Sequence, residues 1–525
     1  MDPVATITWI VLFVLTTVTV TGLVGRLGWS APVALVAVGG AVSFIPGVPQ
    51  VVVEPDLILY GILPPLLFAA AIRTSLIDIR ARRDSILLLS IGLVAFTVVT
   101  VGFATWLLIP TITLAAAFAF AAVVAPTDAV AVTAIAGRLG LPRRVVTILE
   151  GESLLNDATA LVALNASIAA IVTVVTPTEV ALDFVVAVVV GVGVGSIVGW
   201  LVTLVRSRLR SAVLDTSLTL VTPFATFLIA ALLHGSGVIA VVIAGLFLAY
   251  RAPAVASAEA RVAERLNWRT IQFLLENAVF LFIGLNLSGV LAGAIRTGPG
   301  VWPTIVICAG ILLALVASHF AWVMATTLLY RRGPRRLRER SWAWGNGVAV
   351  ASAGVRGVVT LAAVFLLPAE TPGREYLQFL AFVVVVASLL GGLALPRIIR
   401  TLHLPRPNPT QELIERRMLT AEAQAAGLER LDREITPQVD TRTVDQLRRD
   451  SGFLGETLDT FGADAAIPQL EEKARLRRAM LESERAAILL ARAEGRYQEP
   501  AIVSALQALD AEETALKAQF PKPEA

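Results

Sequence analysis

Charge is scarce in this sequence. Only 16% of its 525 residues are Asp, Glu, Lys or Arg, against about a quarter in an ordinary soluble domain. The hydrophobic share, 56%, is correspondingly high. Cysteine is almost missing: Cys308 is the sole one, which excludes an intrachain disulfide and any Cys-based metal site. Histidine is limited to His234, His319 and His403. Isolated as they are, these read as packing or surface residues rather than ligands or pH sensors. The arginines fall in short clusters between apolar runs, so no nucleic-acid footprint forms. Met1-Asp2-Pro3 lacks the basic start of a signal peptide, and the first apolar run is expected to stay in the mature chain.

What the sequence has instead is apolar runs, nearly all before residue 400. A helix needs about 20 such residues to cross ~30 Å of hydrocarbon. Roughly 13 spans are expected, near 5–25, 31–46, 56–73, 85–109, 111–136, 145–175, 180–205, 215–233, 236–250, 270–292, 302–330, 345–367 and 376–399. From about residue 405 the composition turns to Glu, Arg, Ala and Leu. Two domains follow: a membrane domain at 1–404 and a helical tail at 405–525, which Pro437 and Pro468 divide and which carries Leu470, Ala474, Leu476 and Leu481 at helical spacing. The tail is either a small regulatory or dimer-supporting bundle or a solvated appendage.

Loop charge tests this division. Every second loop is basic: Arg26; Arg73, Arg80, Arg82 and Arg83; Arg138, Arg143 and Arg144; Arg206, Arg208 and Arg210; Arg251, Arg261, Arg265 and Arg269; and Arg331 to Arg340. The loops between them offer only Arg296 and Arg374. Positive charge stays in the cytoplasm, so the N-terminus is expected outside and the tail inside, with the Arg331–Arg340 run touching anionic lipid headgroups. An odd count of about 13 also allows two inverted six-helix repeats joined by one span, a common plan of secondary transporters.

Ionisable groups are costly in such spans and tend to mark ion pathways. They collect in three strings: Ala125-Pro126-Thr127-Asp128-Ala129-Val130, Glu150-Gly151-Glu152-Ser153-Leu154-Leu155-Asn156-Asp157, and Ser352-Ala353-Gly354-Val355-Arg356-Gly357. Pro126 has no N–H and opens or kinks its helix. Carbonyls freed near Thr127 then suit a small cation, with Asp128 at the start of a second half-helix; the alternative is a plain proline kink with Asp128 as a cap. Ser153 and Asp157 are four apart and share a helix face, while Glu152 and Asn156 line the adjoining edge. Carboxylate, hydroxyl and amide oxygens together are hard ligands fit for dehydrated Na⁺; the alternative is a polar network that glues helices. Arg356 lies between Gly354 and Gly357 and needs a buried acid, Glu152 or Asp128, unless it snorkels to the cytoplasmic face.

Taken together, the strings Pro126-Thr127-Asp128-Ala129-Val130-Ala131, Gly151-Glu152-Ser153-Leu154-Leu155-Asn156-Asp157-Ala158 and Gly354-Val355-Arg356-Gly357 resemble the monovalent cation:proton antiporter family in its NhaP/NHE branch. Their order and spacing fit across residues 5 to 400; the tail gives no such match. The resemblance implies an all-α polytopic fold of 13 spans, with crossed broken helices and a six-span core moving against a dimerisation domain in a homodimer. It implies Na⁺ and H⁺ as transported ions, no cofactor, no organic substrate, and the cell membrane as the location. Carried over, Asp157 binds either cation or proton, Ser153 and the Thr127 carbonyl add ligands for Na⁺, and Asn156 holds Asp157. Glu152 and Arg356 form a buried ion pair, and Asp128 stabilises the crossing. Asn156 departs from the branch with two adjacent aspartates, so one-for-one, electroneutral exchange is expected. Glu276, opening Glu276-Asn277-Ala278-Val279-Phe280, resembles an acid-started segment of the family, and is read either as lining a funnel or the domain interface or as a structural residue. K⁺/H⁺ exchange, a cation channel and an intramembrane aspartyl protease are the competing readings. A channel would pass current without a proton counter-gradient, and a protease leaves Arg356 and Asn156 unexplained.

Overall fold

The computed structural model describes residues 3–27, 30–46, 57–128, 141–172, 176–338 and 343–404, and scattered stretches beyond, the longest at 425–433, 479–488 and 509–516. The chain separates into two compact units, Met1–Arg406 and Pro407–Ala525.

All of the regular secondary structure described in the first unit is helical. Its main helices are α1 (Pro3–Leu27), α2 (Ala31–Ser43), α3 (Leu57–Arg73, π-wound over Leu57–Ile62), α4 (Arg83–Leu108) and α5 (Leu114–Val124). They are followed by α6 (Arg143–Val172), α7 (Pro177–Arg206), α8 (Ala212–Leu232), α9 (Gly237–Val255) and α10 (Ala258–Leu285). The series ends with α11 (Leu287–Thr297), α12 (Val301–Arg332), α13 (Trp344–Ser352), α14 (Val358–Val364) and α15 (Arg374–Gly392). Nine described helices are long and apolar enough to cross a membrane; the chain is a multi-pass membrane protein. Start points are set by hydroxyl caps. The side chains of Thr113, Ser211, Ser236 and Ser257 accept from the backbone N–H three residues on, and Thr176 with Glu179 makes a full capping box.

Two places depart from the expected spans. The tenth helix begins at Ala258 rather than near 270, because Ser257 caps it and its first turns carry Arg261, Glu264, Arg265 and Arg269, which hide it from a hydropathy reading. Its apolar end stops at Leu285, and α11 is a separate helix that was not foreseen. The sixth helix, by contrast, runs unbroken for 30 residues, about 45 Å at the α-helical rise. Ala129, Val130, Ala131, Arg138, Arg340, Pro437, Pro468, Leu470 and Ala474 lie outside the described residues.

Packing sorts the helices into two groups. One contains α2, α3, α7, α8, α9 and α10, with α9 against α7, α3 and α8, and α2 along α10. A Cβ on Gly284 would run into the α2 backbone at Val36, Gly39 and Gly40, so these two helices touch main chain to main chain. The other group contains α4, α5, α6, α12, α13, α14 and α15, with α5 between α4 and α6, and α12 against α4 and α13.

The first group is pinned by a buried charge cluster. Arg206 at the end of α7 donates through Nε and Nη2 to both oxygens of Asp215 (2.6 and 3.1 Å) and through Nη1 and Nη2 to both oxygens of Glu264 (3.2 and 3.0 Å). All three side chains are nearly inaccessible. In the second unit, Arg477 bridges Glu484 and Glu512, which holds the Glu512 carboxyl below its usual range. Leu481 is buried, while Leu476 is half exposed.

Removing one member of a buried ion cluster strands the others, at a cost of about 3–5 kcal/mol. Arg206→Met should therefore lower the thermal unfolding midpoint of the purified protein clearly. Arg296→Met, which breaks the exposed 3.2 Å pair to Glu375, should leave it nearly unchanged; equal midpoints for the two variants would contradict the assignment.

Candidate functional site: a crossing of broken helices beside a carboxylate cavity

Two helices of the second group stop in the middle of their apolar stretch. α5 ends at Val124, and residues 125–128 are not helical. Pro126 explains the stop, since it clashes with the preceding turn and offers no N–H. α13 ends at Ser352, residues 354–357 are not helical, and α14 starts at Val358. The two open segments cross, and the Asp128 N–H donates to the Val355 carbonyl at 2.7 Å.

Breaking a helix exposes carbonyls at one end and N–H groups at the other, with partial charges to match. Arg356 answers the first problem. Its Nε donates to the carbonyl of Val124, the end of α5, at 3.2 Å, and its Nη1 to the carbonyl of Gly354, just past α13. Its own N–H donates to Ser388 Oγ of α15 at 3.0 Å. Asp128 answers the second: its carboxylate lies against Gly357, the N-cap of α14, where any Cβ would overlap it.

The unbroken α6 completes the frame. Asn156 Nδ2 donates to the Thr127 carbonyl (3.1 Å) and to Thr127 Oγ1 (2.9 Å), and Thr127 Oγ1 in turn donates to Glu152 Oε1 (3.1 Å). Thr127, Glu152 and Asn156 are all buried. Asn156 thus fastens the opened α5 segment to α6 rather than holding Asp157. The expected Glu152–Arg356 ion pair is not made either. The guanidinium is engaged by helix-end carbonyls and Glu152 by Thr127, so the two charges act on each other without contact.

The other face of α6 opens onto a cavity of about 180 Å³, with room for an ion together with water. Its walls include Thr127, Asp128, Ser153 and Asp157 from the second group. Arg73 of α3 and Gln272 and Glu276 of α10 face them from the first group, so the cavity lies on the seam between the two. Asp157 is buried, and among the described residues its carboxylate has no hydrogen bond or ion pair. Hydroxyl, carbonyl and carboxylate oxygens converge here, the donor set for a small hard cation. The Thr127 carbonyl retains a second lone pair after accepting from Asn156.

The structure therefore brings together Thr127, Asp128, Ser153, Asp157 and Glu276 on one cavity, and places Glu152, Asn156 and Arg356 behind it as framework. Three contributors escaped the sequence reading. Arg73 was taken for a loop arginine, yet it is the last residue of α3. Gln272 was passed over although it is one turn before Glu276, and Glu150 was quoted in its string without a role although it lines the cavity. The Arg206–Asp215–Glu264 cluster is equally hidden: Arg206 reads as one more loop arginine, and Glu264 lies 58 positions from it.

Comparison with known proteins identifies the family and the fold. The family model described as "Sodium/hydrogen exchanger, transmembrane" matches residues 11–401. An uncharacterised Na⁺/H⁺ exchanger of Mycobacterium tuberculosis is 32% identical over 501 residues, covering 92% of this chain and 91% of that protein. The sodium, potassium, lithium and rubidium/H⁺ antiporter of Bacillus subtilis is 31% identical over 402 residues, 73% of this chain and 59% of that protein. The sodium proton antiporter MjNhaP1 of Methanocaldococcus jannaschii superimposes with a TM-score of 0.61 at 15% identity, covering 77% of this chain and 99% of that structure; this likeness speaks for the fold. A transporter rather than an enzyme, the chain belongs to the sodium/hydrogen exchanger family, NhaP-type.

Proposed function

We propose that this protein exchanges Na⁺ for H⁺ across the cytoplasmic membrane, one for one, with Asp157 binding either ion in turn. The observation that carries the reading is the Asp157 carboxylate, buried, without a partner among the described residues, and facing the seam cavity. A bare carboxylate away from water costs several kcal/mol. Bound H⁺ or bound Na⁺ removes that charge, so either loaded form can pass through a closed intermediate and the empty form cannot. Coupling follows from this penalty. Thr127 and Ser153 complete the coordination of Na⁺, while Asp128, Glu152, Asn156 and Arg356 keep the crossing in register.

The seam supports alternating access. The group with α4–α6 and α12–α15 serves as the transporting core, and the group with α2, α3 and α7–α10 as the dimerisation domain of a homodimer. On this reading the membrane domain (1–404) is built of 13 spans in two inverted six-helix repeats. The N-terminus lies outside and the 405–525 tail lies in the cytoplasm, where it acts on regulation. The cavity, bordered by Arg73 at the basic end of α3, then opens inward. The physiological outcome is control of internal pH and sodium. K⁺ is the second candidate cargo, because the B. subtilis relative is named for sodium, potassium, lithium and rubidium.

Purified protein in proteoliposomes with an internal pH dye tests this directly. Na⁺ pulses should drive proton flux, and the flux should be the same with and without a potential clamp; a response that disappears when charge compensation is withdrawn excludes one-for-one exchange. Asp157→Asn should insert and fold yet lose essentially all flux, and appreciable Na⁺-driven flux in that variant would refute the site.

A further inference from the structure

Four carboxylates line the cavity, Asp128, Glu150, Asp157 and Glu276. Among the described residues of its walls, Arg73 is the one cation. It does not pair with any of the four. Its Nη1 donates to Gln272 Oε1 at 2.9 Å, and Gln272 Nε2 donates to Glu276 Oε1 at 2.6 Å. A neutral amide, bonded on both sides, thus separates a guanidinium from a carboxylate that would otherwise neutralise it. Gln272 and Glu276 are four apart on α10, which sets the amide one turn from the acid it orients. Arg73 meanwhile is close enough for its charge to act on both Glu150 and Glu276, and Glu276 is close enough to feel Asp128.

Such an arrangement addresses a problem that exchange at Asp157 creates. A vestibule with four carboxylates and no cation in its walls would hold an ion too tightly, and an ion must be bound weakly enough to leave. We propose that Arg73 is a resident counter-charge of the ion pathway, docked on Gln272 as a positioning residue, and that it holds down the affinity of the cavity for Na⁺. Glu276 is its opposite, an acidic group on the first group of helices facing the Asp157 wall. The inference rests on the exchange reading above. Its content is a sign rule, in which apparent affinity follows the net charge of the Arg73–Gln272–Glu276 arm rather than the integrity of any single contact.

The test is the KM for Na⁺ in proteoliposomes containing the full chain. Arg73→Gln and Gln272→Glu each shift the arm by one negative unit and should lower KM by about three- to tenfold, as one charge acting across a partly wet vestibule would. Glu276→Gln shifts it the other way and should raise KM by a similar factor, while Arg73→Lys, which keeps the charge, should stay near the wild type. Should Arg73→Gln fail to accumulate, Gln272→Glu carries the same sign and the same expectation. Shifts of Arg73→Gln or Gln272→Glu in the same direction as Glu276→Gln, or a loss of maximal rate at constant KM, would overturn the proposal and leave only a packing role. Absence of Na⁺-driven flux in the wild type would instead refute the exchange reading itself.

Discussion

Backbone groups inside a bilayer find no water, so every carbonyl and N–H there must be bonded by protein. An intact helix meets that demand by itself. The site of this protein exists because two helices do not, and most of the polar residues around it are consequences of that one decision. Arg356 takes the carbonyls left at the ends of α5 and α13, and Asp128 stands at the start of α14 against Gly357. The Asp128 N–H finds the Val355 carbonyl, and Asn156 ties down the freed carbonyl of Thr127. With these demands met locally, Asp157 remains uncommitted among the described residues and is available to an ion.

The same logic explains how much was legible in advance. Spans could be read because hydrocarbon thickness imposes a length, and loop arginines because orientation imposes a sign. The α6 string could be placed on two faces because residues four apart stack on a helix: Ser153 and Asp157 do line the cavity, and Glu152 and Asn156 do point to Thr127. Pairing was the part that stayed hidden. Glu152 and Arg356 look like natural partners on charge alone, but a helix end carries partial charges that no sequence letter records, and these claimed the guanidinium. Gln272 and Arg73 stand 199 positions apart, and neither is unusual in its own segment.

The seam gives the chemistry its mechanical setting. Asp157 and the crossing belong to one packed group of helices, whereas Glu276, Gln272 and Arg73 belong to the other. Each group has its own stiffening: the crossing network in one, and the Arg206–Asp215–Glu264 cluster with the Gly39–Gly284 contact in the other. Part of the boundary between them is a cavity lined by polar side chains. In the proposed exchange cycle, relative motion along that boundary would change what faces Asp157.

The unbroken course of α6 has a further consequence. Framework residues (Glu152, Asn156) and ion-facing residues (Ser153, Asp157) alternate along one rigid rod, so their separation is encoded by register alone. Inserting or deleting one residue between Ser153 and Asn156 would rotate Asn156 and Asp157 by about 100° against Glu152 and Ser153, and both faces would lose half of their members. Over evolutionary time this helix is therefore constrained in its spacing as much as in its composition.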